Sequence, residues 1–339
     1  MIASQRAPRL TIVIPTVNRP LLVGRAVESA LAQTAQDIEI LVSDNGSTDE
    51  TQDVLRKYRD PRLRMLRREK TIPAAAHGNY IIAEQVRGEL VLALSDDDYI
   101  EPQMVERVLD LFDRRPDLSF AYTGCWMHYG AEIFPALTGP EVESGTDFIA
   151  AYFAEKREVC WCACVTRIAD LRAIGPMPND LLFGDFFYWM KLVFKGNVGC
   201  VPAPLSHYTF MTDNTSSSTP VFRWASEIRT RADEVIDAYD KYCNDQGKTA
   251  AMRRLCTRLV ARTAANQFVW NAVRGAGTLA LVRSLRECLP FFAGEPSAWP
   301  RVAIALMLPP TLLKAMIQRA ARRRARLLQI SASSRLGPA

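Results

Sequence analysis

No aspartate or glutamate follows Glu295, whereas Arg301, Lys314, Arg319, Arg322, Arg323, Arg324, Arg326 and Arg335 do. The formal net charge of +5 therefore belongs to a basic carboxyl-terminal stretch, not to the chain as a whole. No Cys-x-x-Cys pair occurs among the 8 cysteines, which argues against the common zinc spacings. Three of them, Cys160, Cys162 and Cys164, alternate in VCWCACV. Read as a strand, that segment places three thiols on one face, where free Cys behaves as a small apolar side chain. No Gly-x-Gly-x-x-Gly follows the first apolar run, which disfavours a hydride-transfer dinucleotide enzyme. Pro309 and Pro310 break the last apolar run well short of the ~20 residues a membrane span needs. MIASQRAPRLTIVIP lacks the long apolar core and cleavage site of a secretory signal, so a reducing cytoplasmic location is expected. There are no internal repeats.

What is present is ordinary in bulk and informative in order. A chain of 339 residues suggests one large or two modest domains, and 48% hydrophobic with 23% charged content is enough for a real core. LTIVIP (Leu10 to Pro15) reads as a strand buried on both faces, and a helical stripe of Leu22, Ala26, Val27, Ala30 and Leu31 follows it. The strand-like IEILVSD, RLRMLR and ELVLALS then alternate with the helix-like TDETQDVLRKY, HGNYIIAEQVR and PQMVERVLDLF. Such alternation predicts right-handed β-α-β units, a parallel sheet and a site at the carboxyl ends of its strands. Residues 119–210 are less regular: SFAYTGCWMHYG and VCWCACVTR read as strands and GDFFYWMKLVFKG as a helix. TDNTSSSTP is a turn-rich loop by composition. Helical periodicity dominates from Val221, which places a domain boundary near Pro220. The basic, apolar last segment fits two structures equally: an interfacial helix on anionic lipid, or a helix packed on the domain with a solvated end.

The densest chemistry lies in LALSDDDYIEP, where Asp96, Asp97 and Asp98 follow an apolar run directly. A hard divalent cation tolerates such a cluster, since it takes one or two carboxylates and fills its shell with phosphate oxygens and water. Acids at a helix start, favourable to the dipole, are the plain alternative. The stretch SDDD alone does not separate these readings.

The surrounding motifs do. TIVIPTVNRPLLVGRAVESALAQ, IEILVSDNGSTDETQDVLRKY, HGNYIIAEQVRGELVLALSDDDYIEPQMV and FGDFFYWMKLVFKGNVGCVPAPLSHY resemble glycosyltransferase family 2 over residues 8–215. The resemblance implies a GT-A fold: an α/β architecture with a Rossmann-like, mostly parallel sheet flanked by helices, here with a helical carboxyl-terminal extension. It divides the chain into a transferase domain, 1–220, and a helical region with a basic amphipathic tail, 221–339. Within the first, 8–118 would bind the nucleotide-sugar and 119–220 the acceptor. The implied activity is inverting transfer from a nucleoside-diphosphate sugar, with Mg²⁺ or Mn²⁺ as cofactor.

Residue by residue, the resemblance makes Pro15, Thr16 and Asn18 a turn that touches the nucleotide, with Val17 where the family carries an aromatic. Asp44 is the base-recognising acid of Asp-Asn-x-Ser-x-Asp, and its carboxylate can accept an imide N–H. Ser47 and Asp49 are expected to cap a helix. Asn79 positions the donor. Asp97 is the main metal ligand, Asp98 supports the loop or the water on the metal, and Asp96 touches the ribose or a ligand; Ser95 replaces the family's first Asp. Asp185 matches the catalytic base, with Gly184 in place of the preceding Glu and Asp180 as the nearest rival. Met211 stands where many relatives have His, and His207 is expected to be a partly buried or solvent-facing side chain.

The implied partners are a nucleotide-sugar donor and a saccharide or polyprenyl-linked acceptor, which points to cell-envelope polysaccharide synthesis. An anionic membrane surface is the expected contact of the tail, peripheral on the inner face of the cell membrane, and no nucleic acid is expected. Two rival functions share such a sheet. A nucleotidyltransferase is disfavoured because PTVNRP is no Gly-rich phosphate loop. A catalytically silent sugar- or lipid-binding module gains weight from Val17, Ser95, Gly184 and Met211 and loses it from Asp44, Asp97 and Asp185 together.

Overall fold

The computed structural model describes residues 7–129, 132–179, 184–210, 221–273, 277–292, 295–317 and 319–320. The TDNTSSSTP loop, Met211, Asp180 and the Arg-rich segment from residue 321 lie outside them. The chain forms two compact units, one of residues 1–128, 136–149 and 156–209, the other of 129–135, 150–155 and 210–339.

The first unit is built on a sheet. Apolar, β-branched runs become β1 (Leu10–Thr16), β2 (Ile38–Asp44), β3 (Leu63–Arg67) and β4 (Leu90–Ala93). These four are mutually parallel in the order β3-β2-β1-β4. β1 and β2 are buried along nearly their whole length, as strands covered on both faces should be. Their cover includes α1 (Pro20–Leu31), which starts on Pro20 and buries Val23, Ala26, Val27 and Ala30. The helical reading of 48–58 shortens to α2 (Thr51–Leu55). That of 77–87 becomes α3 (Ala74–Tyr80), which runs on into a π-turn over Ile81–Gln85.

Beyond β4 the sheet is mixed. β5 (Tyr99–Ile100) follows the aspartates, then α4 (Met104–Arg114), β6 (Leu118–Tyr129), β7 (Glu132–Pro135), β8 (Val142–Glu143) and α5 (Gly145–Phe153). β9 (Cys164–Arg167) runs antiparallel between β4 and β6. After α6 (Ile168–Ile174) and α7 (Gly184–Leu192), β10 (Asn197–Thr209) lies parallel to β6 and antiparallel to the short β5 and β8.

The alternating cysteines do not form a strand face. Trp161–Ala163 is a 3₁₀ turn closed by the Ala163 N–H on the Cys160 carbonyl at 3.0 Å, and the strand begins only at Cys164. None of the eight cysteines is in a disulfide, and the seven buried ones pack as small side chains.

The second unit is helical: α8 (Val221–Cys243), α9 (Gln246–Val273), α10 (Thr278–Phe292) and α11 (Trp299–Met307). Ala261, Ala264 and Ala265 of α9 share a core with Phe268, Cys288, Phe292, Val302, Ala305 and Leu313. Small residues let the helices approach closely. Of the two structures open to the last segment, packing holds for α11, whose Val302 and Ala305 are buried. Its outer side is nevertheless apolar, with Trp299, Leu306 and Met307 exposed. Among the described residues no helix is long and apolar enough to cross a membrane.

Candidate functional site

Three parallel strands deliver their carboxyl ends to one edge. Thr16 closes β1 opposite Asp44, the last residue of β2. β4 pairs with β1 only as far as Ala93, so Pro15, which has no N–H, falls where β1 has already lost that neighbour. Past Ala93 the chain turns. The Asp98 N–H donates to the Ser95 carbonyl at 3.1 Å, leaving Asp96 and Asp97 at the corners of a tight turn.

Asp44 is fully buried yet well partnered. Its Oδ1 accepts from the Ser47 N–H at 2.9 Å and the Ser47 hydroxyl at 2.6 Å. Its Oδ2 accepts from Gln52 and lies 3.6 Å from Arg67 Nε. Gly46 makes this loop possible: its φ is +83°, and a Cβ there would meet Thr71 N at 2.8 Å. Ser47 also accepts the Asn18 N–H at 2.8 Å, so it ties the two strand ends together and does not cap α2 as expected. Asp49 does take the helix-start role, accepting the Thr51 N–H at 3.0 Å. Asn18 sits at φ 54°, a region Asn tolerates, with its Oδ1 accepting the Thr48 N–H at 2.8 Å.

The aspartate turn is held from three sides. The Thr16 hydroxyl donates to Asp96 Oδ2 at 2.7 Å. Arg19 Nη1 donates to Asp96 Oδ1 at 3.0 Å and to Asp97 Oδ2 at 3.2 Å. Asp98 points elsewhere: its Oδ1 accepts the Thr209 N–H, at the end of β10, at 2.8 Å. Arg25 donates to the Asp97 carbonyl and reaches the Thr209 hydroxyl at 3.3 Å, while its guanidinium lies 4.7 Å over the Tyr99 ring. Thus Thr16, Asp44, Asp96 and Asp97 are brought together, and Asp98 anchors their turn to β10. Asn79 spends both polar atoms on Met177, donating to its carbonyl at 2.7 Å and accepting from its N–H at 2.8 Å. Asp185 is the second residue of α7, and its side chain lies outside the described part.

The motif reading passes over Arg19, Arg25 and His128, and takes His207 by itself as a partly buried or solvent-facing side chain. His207 is buried and stacks on Tyr99, with ring centroids 4.0 Å apart. One ring nitrogen lies 2.8 Å from Glu101 Oε1 and the other 2.9 Å from His128 Nε2. The signal is period-two spacing: Tyr99 and Glu101 on one segment, His207 and Thr209 on another. It becomes readable only once Tyr99 is known to pair with His207 across β5 and β10.

Burial governs the electrostatics. It pushes the Asp96 carboxyl up, against the Thr16 hydroxyl and Arg19, which pull it down. It pushes Asp98 well above the ordinary carboxylate range, with the neighbouring Asp97 adding to the rise. Burial and then Arg68 lower His77, whose Nε2 faces the Ser43 hydroxyl at 2.8 Å. Burial and then His207 lower His128.

Asp98 yields a signed prediction. A carboxyl whose pKa is raised by folding favours the folded state when protonated, and that contribution is lost as pH rises through the folded-state value. Asp98→Asn keeps an oxygen for the Thr209 N–H and removes the buried charge. In metal-free buffer the variant is expected to melt above the wild type at pH 7. The gain should shrink as pH falls toward the ordinary carboxylate range, where the wild-type carboxyl is protonated as well. Thermal melting across that window checks it, and a lower midpoint at pH 7 contradicts it.

Glycosyl transferase family 2 matches residues 11–137. Chondroitin synthase of Escherichia coli is 36% identical over 122 residues, which are 35% of this chain and 17% of that protein. The chain therefore spans less than a fifth of that relative. An uncharacterized glycosyltransferase of Haemophilus influenzae is 30% identical over 212 residues, 62% of this chain and 71% of that one. The UDP-Glc:α-D-GlcNAc-diphosphoundecaprenol β-1,3-glucosyltransferase WfaP of Escherichia coli is 24% identical over 189 residues, 55% of this chain and 71% of WfaP. Among solved structures, TarS of S. aureus, in complex with UDP-GlcNAc, superposes with a TM-score of 0.62 at 15% identity. It covers 84% of this chain, and the match covers 81% of the TarS chain. The fold is accordingly the GT-A α/β fold with a helical carboxyl-terminal region. Matched by the family over residues 11–137 and by a glycosyltransferase relative over most of that relative's length, the chain belongs to glycosyltransferase family 2.

Proposed function

We propose that this chain is an inverting, metal-dependent hexosyl- or deoxyhexosyltransferase. In this reading it moves a sugar from a nucleoside-diphosphate donor to a saccharide or polyprenyl-diphosphate-linked saccharide, in cell-envelope polysaccharide synthesis. The observation that carries it is the meeting of Asp44 with the Thr16–Asp96–Arg19–Asp97 group at one strand edge. The acceptor class is supported by the lipid-linked substrate in the name of WfaP.

The carboxylates suit a hard divalent ion. One Arg19 nitrogen reaches oxygens of both Asp96 and Asp97, so a single cation spans the pair. Among the described residues no cluster of three or more His, Cys, Asp or Glu is arranged to enclose a metal. Two carboxylates are what Mg²⁺ or Mn²⁺ takes from a protein when diphosphate and water supply the other oxygens. Asp97 would be the main ligand, Asp96 the second ligand or ribose contact, and Asp98 the anchor of the loop. Bound there, the ion would stabilise charge on the departing diphosphate.

The remaining roles fall to the chain itself. Asp44, its Oδ1 fixed by Ser47, turns Oδ2 and Gln52 to the base. Pro15, Thr16 and Asn18 line the nucleotide as the turn after β1. Asn79 acts through its clamp on Met177, which holds α3 in place. Asp185, at the start of α7, takes the proton of the attacking hydroxyl. The transferase domain would be 1–220, with 221–339 serving the acceptor's surface. Nine of the twelve exposed large apolar side chains of the described residues, from Tyr242 to Met316, belong to that region. With no acid after Glu295, it fits an anionic membrane face.

Hydrolysis of a panel of nucleotide sugars, with and without Mn²⁺, tests the reading: one donor should turn over and require the ion. A silent module would bind without turnover. Asp97→Asn is expected to abolish metal-dependent nucleotide binding in calorimetry with the fold intact, and unchanged binding removes its ligand role. Asp185→Asn should lower turnover by about 10²–10⁴-fold while donor affinity and melting barely move; near-wild-type turnover at saturating substrates rejects it as the base. Because Val302, Ala305 and Leu313 sit in the core, the membrane contact is better tested by substitution than by truncation. Replacing Arg322, Arg323, Arg324 and Arg326 with Ser removes about 1 kcal/mol of attraction per residue near an anionic surface. Sedimentation with phosphatidylglycerol vesicles should fall, and activity on a soluble acceptor should persist. Undiminished sedimentation would refute the contact.

A further inference from the structure

Arg19 occupies an unusual position. A single nitrogen, Nη1, bridges Asp96 Oδ1 at 3.0 Å and Asp97 Oδ2 at 3.2 Å. Both aspartates are buried or nearly so, whereas the Arg19 side chain stays 32% exposed. Its backbone is held on both sides. The Arg19 N–H donates to the Thr51 hydroxyl at 3.2 Å, and its carbonyl accepts from the N–H groups of Leu22 and Val23 at the start of α1. Just before it, Asn18 is held by Ser47 and Thr48. Arg25, the other arginine near the turn, bonds the Asp97 main-chain carbonyl and neither carboxylate. Among the described residues, Arg19 is the one basic side chain ion-paired to Asp96 or Asp97.

Two adjacent buried carboxylates repel each other and need a cation to coexist. The oxygens bonded to Nη1 are the ones a shared divalent ion would take, and they cannot serve both. We infer that Arg19 is an internal counter-cation, which holds Asp96 and Asp97 while no divalent ion is bound and then transfers to the donor's diphosphate when the ion takes them. The inference rests on the reading of this edge as a site for a divalent ion and a nucleoside diphosphate. A guanidinium suits both positions, because its fork bonds carboxylate and phosphate alike. Fixed at its backbone and part-exposed along its side chain, Arg19 would be a positioning residue that keeps the empty site compact.

The two halves of this role make opposite demands on a variant, which a purely structural ion pair does not. Arg19→Gln removes the competitor for the carboxylates, so Mn²⁺ alone should bind more tightly than in the wild type. It also removes a charge-assisted partner of the diphosphate. UDP or GDP, whichever the wild type binds at saturating Mn²⁺, should then bind about 10- to 100-fold more weakly. In EDTA the variant should melt lower than the wild type, and added Mn²⁺ should restore most of the difference. Arg19→Lys retains the cation and loses the fork, so it should melt closer to the wild type and keep its Mn²⁺ affinity. Arg19→Met, which also removes the cation, serves for the binding measurements if the glutamine variant does not fold. Calorimetry with Mn²⁺ alone, then with nucleotide at saturating Mn²⁺, reads both signs. Mn²⁺ binding that is unchanged or weaker in the variant without the cation overturns the counter-cation role. Unchanged nucleotide affinity overturns the transfer. A wild type that binds neither Mn²⁺ nor either nucleotide overturns the reading of the site, and the transfer with it. In that case an unaltered melting point of Arg19→Gln in EDTA would also overturn the resting role.

Discussion

Negative charge gathered at the carboxyl edge of a buried sheet is the constraint around which the first unit is arranged. Asp44, Asp96, Asp97 and Asp98 are all shielded from solvent there. In such a place an unpaired carboxylate is costly, so each is met by donors fixed in the surrounding elements. Ser47 and Gln52 serve Asp44, Thr16 and Arg19 serve Asp96, Arg19 serves Asp97, and the Thr209 N–H serves Asp98. The donors come from β1, the loop after β2, α2, the start of α1 and the end of β10. Satisfying the acids therefore also fixes the loops that shape the edge.

This arrangement suits transfer chemistry because it is complete without being rigid. Asp44 and Asp98 are locked by backbone N–H groups as well as side chains. Asp96 is held by the Thr16 hydroxyl and Arg19, and Asp97 by Arg19, whose side chain is part-exposed. The first pair define positions, and the second pair are the ones the proposed counter-cation role concerns. The histidine pair extends the same logic toward the other end of the sheet, where Glu101, His207 and His128 form a hydrogen-bonded line against the Tyr99 ring.

Local signals carried far in the first half of the chain. The strands 10–16, 38–44 and 63–67 were legible because β-branched apolar runs bounded by turn residues leave little choice of period. Asp44 and Asp97 stood out as candidates through the motifs that resemble the family, and each lies at or just past the end of such a run. The reading weakened where partners are distant in sequence. VCWCACV has strand alternation, but a 3₁₀ turn wins because Cys160 and Cys162 pack beside Met127 and Cys125, neither of them a sequence neighbour. Ser47 looked like a helix cap and instead bridges two strand ends. A hydroxyl's partner is set by what lies within about 3 Å, and that is a tertiary fact.

The amino-acid sequence by itself determined the alternation of strands and helices, the family, the order of the acids along the chain and the change to helix after residue 220. The alternation and the change to helix follow from periodicity within a short window, and the family from ordered motifs that resemble glycosyltransferase family 2. Only the tertiary structure decided that β9 runs antiparallel between β4 and β6, that Tyr99 stacks on His207, that Asp98 turns toward Thr209 and that Arg19 lies between Asp96 and Asp97. Hydrogen bonds and ion pairs depend on distance in space, and residues 99 and 207 become neighbours only when the sheet brings their strands together.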